Sequence, residues 1–394
     1  MTFLDKLGEE LPERYYLGVD VGYKAHVAVV VNLKDFLHNG ESWKKAPFLE
    51  FPSTQEGLEK LQTYLNRYCS RPEAYLGLCE PTGGFYGVTV YQYLLGQGYP
   101  MWWIENSLTK HMREKIFGHI PKTDAMDARV MTRIGYLHEA VGEEFSLRPL
   151  HLLDPGDREL LQLCRDAWKV KSVMTRARNQ FTQLMAVVFP ELKTFFKMSV
   201  SSVAPVTLMH HFSSPVEIAE ADPEEITNVL WEVGSYHHAK RTDELQELAR
   251  SSSGVLPDPG RAWRLEWLTD YLLNNFRAKL TLERYIRERV VARPEYRLLE
   301  EMPYTTPISL GMIIAATGDI TRFSNYRKYV AYTGFFAGLE TSQTIDRTRM
   351  SKRGNRDLKR TYFQIAASLV WFDPGMNPYK ELFQRKMEDG RPWY

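Results

Sequence analysis

Cysteine is scarce in this chain: Cys69, Cys79 and Cys164 are the only three in 394 residues, with no Cys-x-x-Cys pair and no histidine spacing suited to zinc. That excludes a disulfide framework and a zinc scaffold, and it fits a reducing cytosol. No apolar run reaches the length of a membrane span, and residues 1–14 mix charge with apolar side chains where a signal would place a basic start and an apolar core. The chain therefore reads as soluble and cytoplasmic, with no membrane partner. Net charge is missing too, since 50 Lys plus Arg face 49 Asp plus Glu, and overall charge gives no hint of a nucleic-acid partner. No internal repeat or long low-complexity segment occurs.

What is present is unevenly placed. Arg347, Arg349, Lys352, Arg353, Arg356, Lys359 and Arg360 crowd one stretch whose only acids are Asp346 and Asp357. Such a block is as readily a solvated face as a phosphate-binding surface. A length of 394 residues exceeds one simple core and predicts two or three domains.

Alternating and then continuous apolar residues from Tyr15 to Val31 predict a buried strand and its hairpin partner, with a third short strand at Phe48 to Phe51. Ser53-Thr54-Gln55-Glu56 opens a helix with Leu58, Leu61, Tyr64 and Leu65 on one face. Strands over Ala74 to Cys79 and Pro100 to Ile104 alternate with helices, which predicts a mixed α/β sheet with Asp20 and Glu80 at strand ends. Two long helices, about 158–188 and 261–291, suggest an antiparallel or intermolecular coiled coil, with a small insertion between them. From Leu298 onward, short helices about the Pro303 to Pro307 turn read equally as a structural hairpin or as a helix-hairpin-helix that grips DNA backbone. These limits give a first domain over 1–150, a linker over 151–295 with its insertion at about 200–260, and a last domain over 296–394.

Four acids carry the chemistry: Asp20, Glu80, and Asp124 with Asp127 one turn apart at a helix start. Singly, each has an ordinary explanation as a turn residue or, for Asp124, a helix cap. As a set of oxygen ligands they suit Mg²⁺, or Mn²⁺, holding a phosphodiester, and they suit these ions better than zinc. Ser342 and Ser351 compete as nucleophile. Taken locally each is more readily a loop or capping serine, and neither has a nearby histidine to activate it, which leaves the acids as the source of activation. Lys122 and Arg129 beside the acids, with Arg349, Ser351, Lys352, Arg353 and Arg356, are the candidate nucleic-acid contacts.

The motifs Gly18-Val19-Asp20, Glu80-Pro81-Thr82-Gly83, Lys122-Thr123-Asp124-x-x-Asp127-Ala128-Arg129, Tyr332-Thr333-Gly334 and Met350-Ser351-Lys352-x-Gly354 together resemble the DEDD transposases of bacterial insertion sequences, whose members include the bridge-RNA-guided recombinases. The resemblance implies an α/β RuvC-like (RNase H-like) domain, a long-helix coiled-coil linker and a mainly α-helical C-terminal transposase domain. It implies Asp20, Glu80, Asp124 and Asp127 as metal ligands and a serine upstream of Ser-Lys-x-Gly, the position of Ser342, as the residue that joins DNA covalently. It implies donor and target DNA, a structured noncoding guide RNA, and a homo-oligomer, dimer or tetramer, in a bacterial, nucleoid-associated setting. Two positions depart from the family: Ser342 precedes Gln343 where relatives carry glycine, and the Pro303 to Pro307 turn lacks their glycines.

The resulting expectation is an RNA-guided DNA recombinase that cleaves and rejoins strands through a serine-phosphodiester intermediate beside a magnesium site. The alternative is a RuvC-like nuclease or junction resolvase that uses activated water. A nucleic-acid scaffold whose acids are only caps, and an actin-like kinase lacking its glycine-rich loops, stand behind these.

Overall fold

The computed structural model describes residues 13–38, 41–81, 86–118, 121–145, 147–151, 153–197, 200–335, 337–342, 345–350, 354–372, 375 and 377–389, with the backbone alone described over 337–342 and 345–350. The chain divides into two compact units, 1–152 and 153–394.

In the first unit Tyr15–Val21 (β1) and His26–Asn32 (β2) form an antiparallel hairpin, and Phe48–Phe51 (β3) borders β2. Tyr75–Cys79 (β4) lies parallel to β1, Met101–Trp103 (β5) parallel to β4, and Arg148–Pro149 (β6) antiparallel to β5. The sheet order is β3-β2-β1-β4-β5-β6. Helices Leu33–His38 (α1), Gln55–Asn66 (α2), Val88–Gly96 (α3), Asn106–His111 (α4) and Asp124–Tyr136 (α5) complete the unit.

Strand alternation sorts the side chains between two layers. Leu17, Val19 and Val21 pack with the apolar faces of α2 and α3, including Leu58, Leu61, Leu65, Val90 and Leu94. Tyr16, Leu76 and Leu78 pack on the opposite side with Ala128, Met131 and Ile134 of α5. The helix α5 comes unusually close to β1. A Cβ on Gly18 would lie 1.9 Å from the Ala128 carbonyl oxygen, so only glycine admits this spacing.

The second unit is built on two long helices, Pro155–Val188 (α6) and Pro259–Val291 (α13). Each starts with proline just inside an aspartate cap: Asp154 accepts from the Gly156 amide and Asp258 from the Arg261 amide. The two run antiparallel within one chain. Arg289 donates to Glu159 at one end, the Arg178 guanidinium lies over the Phe276 ring midway, and the Val255 amide donates to the Val187 carbonyl at the other.

Between them the described residues of the insertion form six short helices: Leu192–Phe196 (α7), Val203–His211 (α8), Pro215–Glu220 (α9), Pro223–Glu232 (α10), Tyr236–Ala239 (α11) and Thr242–Arg250 (α12). It is more than the minor excursion the Ser- and Pro-rich turns suggest. Phe195, Val206, Leu208, Leu230 and Leu245 share one core with Phe181, Leu184 and Val188 of α6 and Leu265, Leu268 and Leu272 of α13.

The opposite ends of the long helices serve a second core. Leu160, Leu161 and Cys164 of α6 and Ile286 and Val290 of α13 pack with Leu310, Met312 and Ile314 of Pro307–Thr317 (α15) and with Leu358, Ile365 and Leu369 of Arg356–Trp371 (α17). Tyr296–Leu299 (α14), Tyr326–Thr333 (α16) and Pro378–Glu388 (α18) complete the helices, and Ala337–Ser342 (β7) pairs antiparallel with Ile345–Met350 (β8). The turn before α15 puts Tyr304 at φ 57°, the left-handed region that glycine occupies without cost, and Thr306 then opens α15 through a capping box with Ser309.

Candidate active site

Asp20 and Glu80 come together through register. β1 and β4 are parallel with Val19 opposite Cys79, so the next residue of each chain, Asp20 and Glu80, leaves the same edge of the sheet. Both continue the series of side chains that face α5. That helix presents Asp124 and Asp127 in its first turn, and its cap is Thr123, whose Oγ1 accepts from the Met126 amide at 3.1 Å. The possibility that Asp124 itself caps the helix is thereby corrected: a better-placed hydroxyl takes the amide and leaves Asp124, which is exposed, free for another task.

The four carboxylates act on one another electrostatically. Burial pushes the Asp20 carboxyl up to about 7, with the negative charges of Asp124, Asp127 and Glu80 adding to it and Lys122 opposing. Glu80 is raised as well, by burial first, while the Thr109 hydroxyl, Lys122 and Arg113 favour its charged form and Asp127 disfavours it. Negative charge collected at one sheet edge, only partly offset by Lys122 and Arg113, is what a bound cation relieves.

Two further residues bear on whether a divalent cation fits. The hydroxyl of Thr109, on α4, is buried without a strict hydrogen-bond partner and faces Glu80. Arg113, in the π-turn Met112–Ile116 that continues α4, is buried and forms an ion pair with Asp127. The donor set, hard oxygens with excess negative charge, has the chemistry for Mg²⁺ or Mn²⁺. Among the described residues no three His, Cys, Asp or Glu side chains already stand as a metal-holding group, and the Arg113 guanidinium occupies an Asp127 oxygen that such an ion would use. The acids fit the ion in kind, and Arg113 must give way for Asp127 to take part.

The basic candidates separate. Lys122 is exposed and acts on Asp20 and Glu80. Arg129 directs Nε and Nη2 to the Ala46 carbonyl at 2.9 and 2.7 Å, which ties α5 to the segment before β3. Arg356 is exposed at the start of α17. For Arg349 and Ser342 the backbone alone is described: Arg349 lies in β8, and Ser342 is the last residue of β7, paired with Ile345, a strand position where a loop serine was expected. Ser351, Lys352 and Arg353, like Thr82 and Gly83, lie outside the described residues. The capping role considered for Ser351 belongs to Asn355, whose Oδ1 accepts from the Asp357 and Leu358 amides.

Gly354, the last residue of Ser351-Lys352-x-Gly354, proves to be a neighbour of Tyr332-Thr333-Gly334. Gly354, at φ 102°, lies against Gly334 so tightly that a Cβ would come within 2.4 Å of its Cα, and the Asn355 amide donates to the Tyr332 carbonyl at 2.7 Å. Nothing in the spacing of the two motifs reveals this contact. Their glycines are the one local signal.

Strand order 3-2-1-4-5-6 with acids at the ends of β1 and β4 and on α5 is consistent with a RuvC-like α/β domain. Helices dominate the rest of the chain. Residues 17–190 match the IS110-type DEDD transposase model, and residues 296–381 match the model described as the transposase IS116/IS110/IS902 family. The chain belongs to this family of insertion-sequence DEDD transposases, and it is an enzyme acting on DNA. Membership implies dependence on a divalent metal. No curated protein matches the chain. No helix among the described residues is long and apolar enough to cross a membrane.

Proposed function

We propose that the chain is the RNA-guided recombinase of an insertion sequence, cleaving and rejoining donor and target DNA through a phosphodiester formed on Ser342. The observation that carries it is the strand register that brings Asp20 and Glu80 to one sheet edge, facing the helix whose first turn carries Asp124 and Asp127, in a DEDD-family domain. Those four acids would hold Mg²⁺ or Mn²⁺, which when bound supplies charge neutralisation at the scissile phosphate and eases departure of the displaced oxygen.

The chain's own residues account for the remainder. Lys122 steers the phosphodiester toward the acids. The Ser342 hydroxyl attacks phosphorus, its proton passes to a carboxylate of the site, an Oγ–P bond forms, and the bond from phosphorus to one deoxyribose oxygen breaks, that oxygen leaving and being protonated. Rejoining reverses the step with the other strand's hydroxyl. In this reading 1–150 is the catalytic domain, 151–295 a linker with its insertion at about 200–260, and 296–394 the domain that delivers the serine. A homo-oligomer, dimer or tetramer, assembled on a structured guide RNA brings the serine of one copy to the acids of another. Arg349, Ser351, Lys352, Arg353 and Arg356 are assigned to phosphate contact.

The test uses full-length protein and DNA bearing the element's ends, with products run on a denaturing gel. Ser342→Ala is expected to abolish a protein-DNA adduct while DNA binding persists. Asp20→Asn is expected to lower strand cleavage about a hundredfold or more. Cleavage by the wild type without any attached protein would replace this mechanism with hydrolysis by water, and an adduct that survives in Ser342→Ala but not in Ser351→Ala would move the nucleophile.

A further inference from the structure

Two large aromatic side chains stand exposed a few residues along the chain from Asp20 and Glu80. Tyr23 is 76% exposed and lies in the turn between β1 and β2, three residues after Asp20. Tyr86 is 48% exposed and lies six residues after Glu80, just ahead of α3. Their rings meet edge to face, with centroids 5.1 Å apart and planes at 80°. The contact joins the β1–β2 turn to the residue just ahead of α3.

Exposed tyrosine rings leave a large, rigid, flat surface available for contact. In an edge-to-face pair one ring keeps both faces open and the other keeps one, while each fixes the other's plane. That is a pre-oriented stacking platform with low entropy to lose on binding. Lys24, exposed beside Tyr23, adds a positive charge on the same turn.

We propose that Tyr23, backed by Tyr86, stacks on an unpaired base of the DNA strand whose phosphate enters the acidic site, and so positions the scissile bond. The occupant follows from continuity along the chain: Tyr23 is three residues from Asp20, one of the acids proposed to act on a phosphodiester, and a base near that phosphate offers a flat, apolar surface to stack on. Stacking of this kind tolerates any base, so the pair sets depth and strand separation and leaves sequence choice to other parts. The inference rests on the acidic edge being the cleavage site.

The test is fluorescence of a purine analogue placed centrally in a short single strand of DNA, with full-length protein in the presence of Mg²⁺. Wild type and Tyr23→Phe are expected to quench the analogue. Tyr23→Ala is expected to lose the quenching and to bind roughly 5- to 150-fold more weakly, and Tyr86→Ala to weaken binding by less. Tyr23 is surface-exposed, so Tyr23→Ala should unfold at the wild-type temperature, which separates lost stacking from lost fold. Unchanged affinity and quenching in Tyr23→Ala overturns the proposal, as does an effect seen with an RNA strand of the same sequence and absent with DNA. Asp20→Asn keeps the two readings apart. If that variant still cleaves, the acidic site is misassigned; if it fails to cleave yet still quenches, the platform stands by itself.

Discussion

At the scale of single residues, the informative side chain is Asp20. Burial, with the neighbouring carboxylates, pushes its carboxyl in the folded chain up to about 7, from the ordinary 3.8 of an aspartate. Between these values the folded chain holds a proton that the unfolded chain has released, so stability falls as pH rises through that window. Metal-free protein, kept so with a chelator, should therefore have its catalytic domain melt at a lower temperature at about pH 8 than at about pH 5, the Asp20 contribution being at most roughly 4 kcal/mol. Asp20→Asn should flatten the decline, and added Mn²⁺ should reverse it in the wild type but not in the variant. A melting temperature independent of pH in both would mean that the four carboxylates do not share one environment.

The acids were readable from sequence because each sits in a short local pattern, an apolar strand that ends or a threonine that starts a helix. The cap on α5 was also local, yet Thr123 and Asp124 are both good caps, and only the 3.1 Å hydrogen bond from Met126 decides between them. Arg113 was not readable. Its pairing with Asp127 depends on the π-turn after α4, and one extra residue in a helical turn leaves no mark in an apolar periodicity.

At the scale of elements, the contact between Gly354 and Gly334 sets the course of the chain from α16 to α17. Gly354→Ala forces a left-handed backbone onto a residue with a Cβ and drives that Cβ into the Gly334 backbone. A cost of about 2 kcal/mol or more is expected, seen as early melting or proteolysis of the C-terminal elements while the first unit keeps its own transition. Coincident, wild-type melting of the variant would show that the turn relaxes freely. The long helices and the helix after the Pro303 to Pro307 turn, α15, were legible from periodicity and turn residues. The β7–β8 hairpin was not, because its strands read Ala-Gly-Leu-Glu-Thr-Ser and Ile-Asp-Arg-Thr-Arg-Met, and their charges mask the apolar alternation that marks a half-buried strand.

At the scale of the whole molecule, the two units have separate cores. A fragment ending at residue 152 should fold alone and bind Mn²⁺ with an affinity close to that of the full chain, measured by calorimetry, and should form no DNA adduct because Ser342 is absent. A fragment that stays unfolded would show that the sheet depends on the second unit. Length and composition announced more than one domain, and the four acids announced the first. The depth of the insertion was hidden, since its helices are short and its core is completed by α6 and α13, residues distant in sequence.

The way the insertion is rooted has a practical consequence. Its entry and exit meet where Val255 bonds to Val187, which tempts an engineer to excise it and close the gap with a short loop. Doing so would strip Phe181, Leu184, Leu265 and Leu268 of their cover and turn the helix tips into a sticky surface. A minimal version of this enzyme must therefore recode those positions to polar residues in the same step, or graft a replacement cap of matching apolar footprint.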